Sequence, residues 1–257
     1  MVICTDAGNS DLVAGIFCDD EITDILRLPY QKGLSRQEYI SILNDAVLQH
    51  NIPANNICGC LLCCVAINTV NELAAAMCEV FGHYPVIFKN DNNCKLKILT
   101  EDPYEVGSDI IASCMAAKKE YSMPCIVIDM GTATTLTAMD ENANVLGVSI
   151  ITGVAVSMWA LKEKTGLPFD KNFLANPKAI GTNTQKSIDS GIILGSAYAI
   201  DGLIQSFSEE INQGQCSIVA TGGISKFIIP HCRSNISLDE NLLLKGLYCY
   251  YKNSIIK

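Results

Sequence analysis

The sequence predicts an α/β protein made of two copies of one plan, and three observations carry that prediction. A strand-and-turn segment occurs twice, from Val2 to Ser10 and from Cys125 to Ala133, with its Asp and Gly separated by 123 positions in both cases (Asp6 to Asp129, Gly8 to Gly131). Each copy is an apolar β-type run that ends on an acidic residue, and the glycine two places later lets the backbone reverse into a second apolar run. Strand-length and helix-length apolar segments then alternate along both halves with no Gly/Ser/Pro linker between them, as expected of mixed five-stranded sheets flanked by helices. The halves are 1–122 and 123–257, with the boundary near Met123.

The elements follow in order. After the Gly8 turn, residues 12 to 17 form a second strand, Cys18 to Glu21 an acidic turn, and the stretch through Ile25 and Leu28 a third strand, completing a meander. Ser35 with Glu38 is a capping-box signature ahead of a helix whose stripe is Tyr39, Ile40, Leu43, Ala46 and Val47. A cysteine-rich strand near 57 to 65, a helix near Val70 to Phe81 and a short strand at Val86 to Phe88 complete a βββαβαβ unit. A polar stretch leads to a helix containing Asp109, Ile110, Ile111 and Met115. The second half restarts at Pro124, turns at Asp140 to Asn144, and continues with a strand at Val145 to Ile151. Helices near Val154 to Lys164 and Ser187 to Asn212, a strand at Ser217 to Ala220 and a final helix at Leu242 to Tyr251 follow.

Bulk properties narrow the function. A formal net charge of −9 opposes a nucleic-acid groove, which needs a concentrated field of Lys and Arg. A small anionic substrate must then be met by local donors or metal ions. No uninterrupted apolar run has the length of a membrane span, and the first residues enter a strand directly, so the expectation is a cytoplasmic protein with no membrane partner. Among 13 cysteines, Cys58, Cys60, Cys63 and Cys64 have a spacing that a metal site could use. The surrounding Ile57 to Val65 reads more readily as a buried strand in which reduced thiols act as small apolar groups.

Five segments in this order resemble the acetate and sugar kinase/Hsp70/actin superfamily and, within it, the type III pantothenate kinases: Asp6 to Ser10, Asp102-Pro103 to Asp109, Asp129 to Thr135, Gly181 to Thr184, and Thr221 to Gly223. The resemblance implies two ribonuclease-H-like (actin-like ATPase) domains and phosphorylation of pantothenate by ATP in coenzyme A biosynthesis. It implies Mg²⁺ and a monovalent cation, K⁺ or NH₄⁺, as cofactors, and a homodimer with pantothenate bound close to the subunit interface. ATP is expected at Asp6, Ala7, Gly8, Asn9, Ser10, Asp11, Leu12, Val13, Thr132, Gly222 and Gly223. Asp6 is expected to orient Mg²⁺, Asp129 to ligate the monovalent cation, and Thr134 and Thr135 to add hydroxyls. Pantothenate is expected at Gly107, Ser108, Asp109, Ile110, Thr184 and Thr100.

Asp109 is expected to be the general base, accepting the hydroxyl proton of the acceptor. Helix capping is the competing reading for both Asp109 and Thr184, because Asp and Thr are good cap residues. Gly191 and Gly195 are expected to permit close helix packing, and His50, His83 and His231 lie in no motif. The chain departs from the family on the acceptor side. Ile110 replaces an arginine, Thr100 stands at a tyrosine position, Ser113 at one often held by asparagine, and Thr152 where Pro-Gly follows the strand. A cation beside a transferring phosphoryl group can be worth on the order of a thousandfold in rate. Two alternatives therefore stand beside the pantothenate kinase: a paralogue phosphorylating another small alcohol, and a non-catalytic ATP-binding regulatory protein.

Overall fold

A computed structural model describes residues 1–8, 11–29, 31, 33–64, 67–168, 176–211 and 215–255, with 67 and 68 described by backbone alone. In chain order the strands are β1 (Val2–Ala7), β2 (Leu12–Cys18), β3 (Glu21–Leu28), β4 (Gly59–Cys64), β5 (Val86–Ile87), β6 (Cys125–Met130), β7 (Ala133–Met139), β8 (Val145–Thr152), β9 (Ser217–Thr221) and β10 (Ser237–Leu238). The helices are α1 (Arg36–Gln49), α2 (Ile67–Phe81), α3 (Ser108–Glu120), α4 (Val154–Thr165), α5 (Thr184–Asp189), α6 (Gly195–Glu210), α7 (Ser225–Ile228) and α8 (Leu242–Ile255). The chain forms two compact units.

The first unit contains residues 1–95, 104–116 and 243–257. Its sheet runs β3-β2-β1-β4-β5, with β1 antiparallel to β2 and parallel to β4. Ile3, Ala14, Ile16, Cys60 and Leu62 put one face of this sheet into a core with Tyr39 and Leu43 of α1 and Leu73 and Met77 of α2. The capping box is formed, Ser35 accepting from the Glu38 amide while Glu38 accepts from the Ser35 amide at 2.8 Å. Because strand side chains alternate, Gly15 and Gly59 lie on the opposite face, where Leu244 and Tyr251 of α8 come against them. Phe17 stacks on Tyr248 at 4.2 Å between ring centroids. A Cβ on Gly246 would run into the Ala112 backbone, so α8 and α3 pack at backbone contact. The 122/123 boundary read from the sequence does not coincide with this division, since α8 covers the second face of the first sheet.

The second unit contains residues 96–103 and 117–242, with a sheet ordered β10-β9-β6-β7-β8. Ile126, Ile128, Met130, Leu136 and Ala220 pack on Ile193 and on Ala197, Ile200 and Ile204 of α6. β10 is two exposed residues with no periodic signal, and it completes the five strands. Five residues of π-helix, Ser190–Leu194, join α5 to α6. Close packing does not explain the helix glycines, because a Cβ on Gly191 or Gly195 would meet nothing within 4 Å. Residues Thr184–Glu210 form a helix long and apolar enough to cross a membrane by length and composition. Asp189 and Asp201 lie within this run, so the expectation of no apolar run of that length is met only for unbroken apolar segments. One face of the helix lies in the unit's core.

Candidate active site

Two acidic turns occupy matching places, one in each sheet. In the first unit Asp6 stands near the end of β1, paired with Val13 across β2 and with Cys63 across β4. The Gly8 amide donates to the Asp11 carbonyl at 3.0 Å and closes the turn. A Cβ on Gly8 would lie 3.6 Å from the Asp6 carboxylate, so the small residue keeps the carboxylate's flank open. Ala7 and Leu12 are buried in the first core, which leaves only their backbone to a ligand, whereas Asp11 is exposed and Val13 half-buried. Asn9 and Ser10 lie outside the described residues.

In the second unit Asp129 pairs with Thr135 across β7 and with Thr221 across β9, bringing two hydroxyl-bearing residues alongside it. The Gly131 amide donates to Ala133 at 3.0 Å. Between the closing residues this turn holds only Thr132, so it is one residue shorter than the first, which holds Asn9 and Ser10. Two glycines neither strand pattern marks as necessary come against it. A Cβ on Gly153 would strike the carbonyls of Gly131 and Thr132, and a Cβ on Gly222, which has φ +94°, would strike the Met130 backbone. Only glycine fits at either place. Gly223 has open space around it. Thr132 is exposed, while Thr134 pairs with Met130 and is buried on the core side. The expectation of a ligating hydroxyl at Thr134 is therefore corrected: strand alternation turns it away from Asp129's face.

Asp109 is the second residue of α3, and its Oδ1 accepts from the Ile110 amide at 2.9 Å. The Gly107 carbonyl, one residue before the helix, receives the Ile111 amide, so Gly107 occupies the cap position and Asp109 does not. Capping also falls to a neighbour at the other acceptor candidate: the Asn183 side chain accepts from the Lys186 amide at 2.9 Å, and Thr184 is the first residue inside α5. Thr100 donates its hydroxyl to the Asp102 carbonyl at 3.0 Å. Ile110 is 8% exposed and Ser113, one turn beyond Asp109, is buried with no hydrogen-bond partner for its hydroxyl among the described residues.

Cys63 stands beside Asp6 in the sheet register. Burial, with the charges of Asp6 and Asp109, pushes its thiol well above the ordinary range. Nothing in the residue pattern sets it apart from the other thiols of β4; its place beside Asp6 is visible only in the parallel register. Cys60 lies on the opposite face in the core, where burial pushes its thiol up to about 12.

The chain matches the model of the type III pantothenate kinase family over residues 2–206. It belongs to that family. A type III pantothenate kinase of Shouchella clausii is 33% identical over 258 residues, covering 98% of this chain and all of the relative. Among solved structures, a conserved Baf family protein of Campylobacter jejuni, described as a putative transcriptional activator, has a TM-score of 0.61 at 16% identity and covers 98% of both chains. The activator of 2-hydroxyisocaproyl-CoA dehydratase from Clostridium difficile, solved with ADPNP, has a TM-score of 0.54 at 10% identity, covering 98% of this chain and 95% of the other. These two likenesses show the fold alone, the actin-like arrangement of duplicated ribonuclease-H-like sheets. Ile110, directly after Gly107-Ser108-Asp109, is a buried apolar side chain.

The donor set fits the cofactors of such a kinase. No group of three or more His, Cys, Asp or Glu among the described residues forms a protein cage for a metal. Mg²⁺ in nucleotide sites takes one or two carboxylates and otherwise phosphate and water oxygens, which Asp6 beside an open glycine turn can satisfy. Asp129 with Thr135 and Thr221 offers only hard oxygen donors, the chemistry an alkali cation requires.

Proposed function

We propose that the chain transfers the γ-phosphoryl group of ATP to the 4′-hydroxyl of pantothenate, giving 4′-phosphopantothenate for coenzyme A biosynthesis. Phosphoryl transfer is mainly positioning and charge neutralisation. The Gly8 and Gly131 turns supply backbone amides toward phosphates, Thr132 a hydroxyl, and the glycines at 222 and 223 a backbone surface for the nucleotide. Bound Mg²⁺, oriented by Asp6, supplies charge neutralisation to the phosphates, and the monovalent cation, K⁺ or NH₄⁺, belongs at Asp129. Asp109 accepts the hydroxyl proton as the oxygen attacks phosphorus. Gly107, Ser108, Ile110, Thr100 and Thr184 make up the acceptor side. The observation that carries the reading is the pair of matching acidic turns at Asp6 and Asp129, with the Asp109 carboxylate at the start of a helix whose cap position belongs to Gly107.

A second reading has one specific observation behind it. Buried Ile110 removes the cation that the family pattern places next to the base, so the acceptor could be another small alcohol lacking a carboxylate. Mass detection of the product from ATP, Mg²⁺, K⁺ and pantothenate decides between the two. 4′-Phosphopantothenate supports the first; ADP release only with other alcohols moves the assignment to the second, and no turnover with any acceptor favours a regulatory ATP-binding protein. The two halves, 1–122 and 123–257, are read as copies of one ancestral domain.

The protein is further proposed to be a cytoplasmic homodimer. Gly191, Gly195, Tyr198 and Gly202 line one exposed face of the 184–210 helix, and Trp159 of α4 is 61% exposed, which suits a second copy.

A further inference from the structure

We infer that Cys63 is a positioning residue for the Mg²⁺ end of this site, its thiol holding the Asp6 carboxylate in the orientation that meets the cation. The inference rests on the phosphotransferase reading and deepens it. Its basis is the register of the first sheet. Parallel pairing sets Cys63 directly beside Asp6, and alternation along β4 sends Cys60 and Leu62 into the core while Cys63 shares Asp6's side of the sheet.

Cys63 is wholly buried, and the register sets it beside Asp6 on the same face of the sheet, where its S–H can donate to the carboxylate. A carboxylate with two oxygens can accept from a fixed donor on one side and still present its other lone pairs to a cation. Fixing its rotamer in advance lowers the cost of ordering it when the metal-nucleotide arrives. A cysteine suits the place because it packs as a small apolar group and donates without requiring a partner for itself.

The test is calorimetric binding of the non-hydrolysed analogue ADPNP, with and without Mg²⁺, to the full chain and to Cys63→Ala and Cys63→Ser. A hydrogen bond to a charged group makes the expected loss in Cys63→Ala about tenfold in Mg²⁺-ADPNP affinity, with metal-free binding unchanged. Cys63→Ser, which retains an O–H donor, restores most of the affinity. If wild type and both variants bind Mg²⁺-ADPNP alike, or if Cys63→Ala weakens metal-free binding equally, the positioning role is overturned while nucleotide binding stands. Failure of wild type to bind in any condition overturns the phosphotransferase reading itself. Should Cys63→Ala not fold by far-UV dichroism, Cys63→Thr and Cys63→Val make the same comparison of hydroxyl against methyl.

Discussion

Asp109 shows how much a single residue's surroundings add to its type. Sequence leaves a helix-start aspartate divided between capping and chemistry; in the structure Gly107 takes the cap position while the Asp109 carboxylate accepts from the Ile110 amide in the first turn. An asparagine oxygen accepts that bond equally well, so Asp109→Asn should leave stability within about 0.5 kcal/mol of wild type in urea unfolding. Gly222 is the opposite case, where the backbone permits nothing else. With φ +94° and a Cβ position 2.6 Å from the Met130 carbonyl carbon, Gly222→Ala is strained and crowded together. We expect it to cost roughly 1–3 kcal/mol or more, read as a lowered midpoint in thermal or urea unfolding.

At the scale of elements, local chemistry sets what each segment withstands. Ser35→Ala removes the hydroxyl that accepts from the Glu38 amide and should destabilise the first unit by about 1 kcal/mol in urea, while Glu38→Gln keeps that bond and can still accept from the Ser35 amide. In the second unit Asp201 ties α6 to the loop before β10, accepting from the Arg233 amide at 2.8 Å and from the Ser234 amide at 3.0 Å and hydroxyl at 2.7 Å. Burial opposes the charged form, but these bonds outweigh it and hold the Asp201 carboxyl below the usual range. A depressed folded pKa stabilises above the unfolded value, near 4, and that stabilisation is lost as pH falls through the folded value. Asp201→Asn should therefore flatten the fall of melting temperature below about pH 4, measured against wild type by calorimetry.

Most of these elements were legible in the sequence. The two meanders, the helix after Ser35 and the Asp6 and Asp129 turns announce themselves through periodicity, turn glycines and repetition. What could not be read was tertiary. β10 exists because a two-residue edge pairs with β9, α8 joins the first unit because Gly246 admits Ala112, and Cys63 faces Asp6 because of a register between strands over fifty residues apart. Gly153 belongs to the second turn for the same reason: the carbonyls it must clear lie on another strand's end.

For the whole molecule, duplication explains why two acidic turns recur 123 residues apart and yet serve different ions in the proposed reaction. The first has two residues between its closing pair and is proposed to meet a metal-nucleotide; the shorter second is backed by Gly153 and Gly222 and is the proposed place of a monovalent cation. Assembly is testable at this scale. Gly195 has open space around it within the chain, so Gly195→Glu should fold normally yet convert a wild-type dimer to a monomer in sedimentation equilibrium. A monomeric wild type would remove the homodimer from the account.

The central claim is phosphoryl transfer to an alcohol with Asp109 as base. A coupled assay of ADP release with Mg²⁺, K⁺ and pantothenate, run on wild type and Asp109→Asn, addresses it directly. The account predicts turnover by wild type and a fall of at least roughly a hundredfold in the folded variant. Equal rates in the two proteins would contradict it.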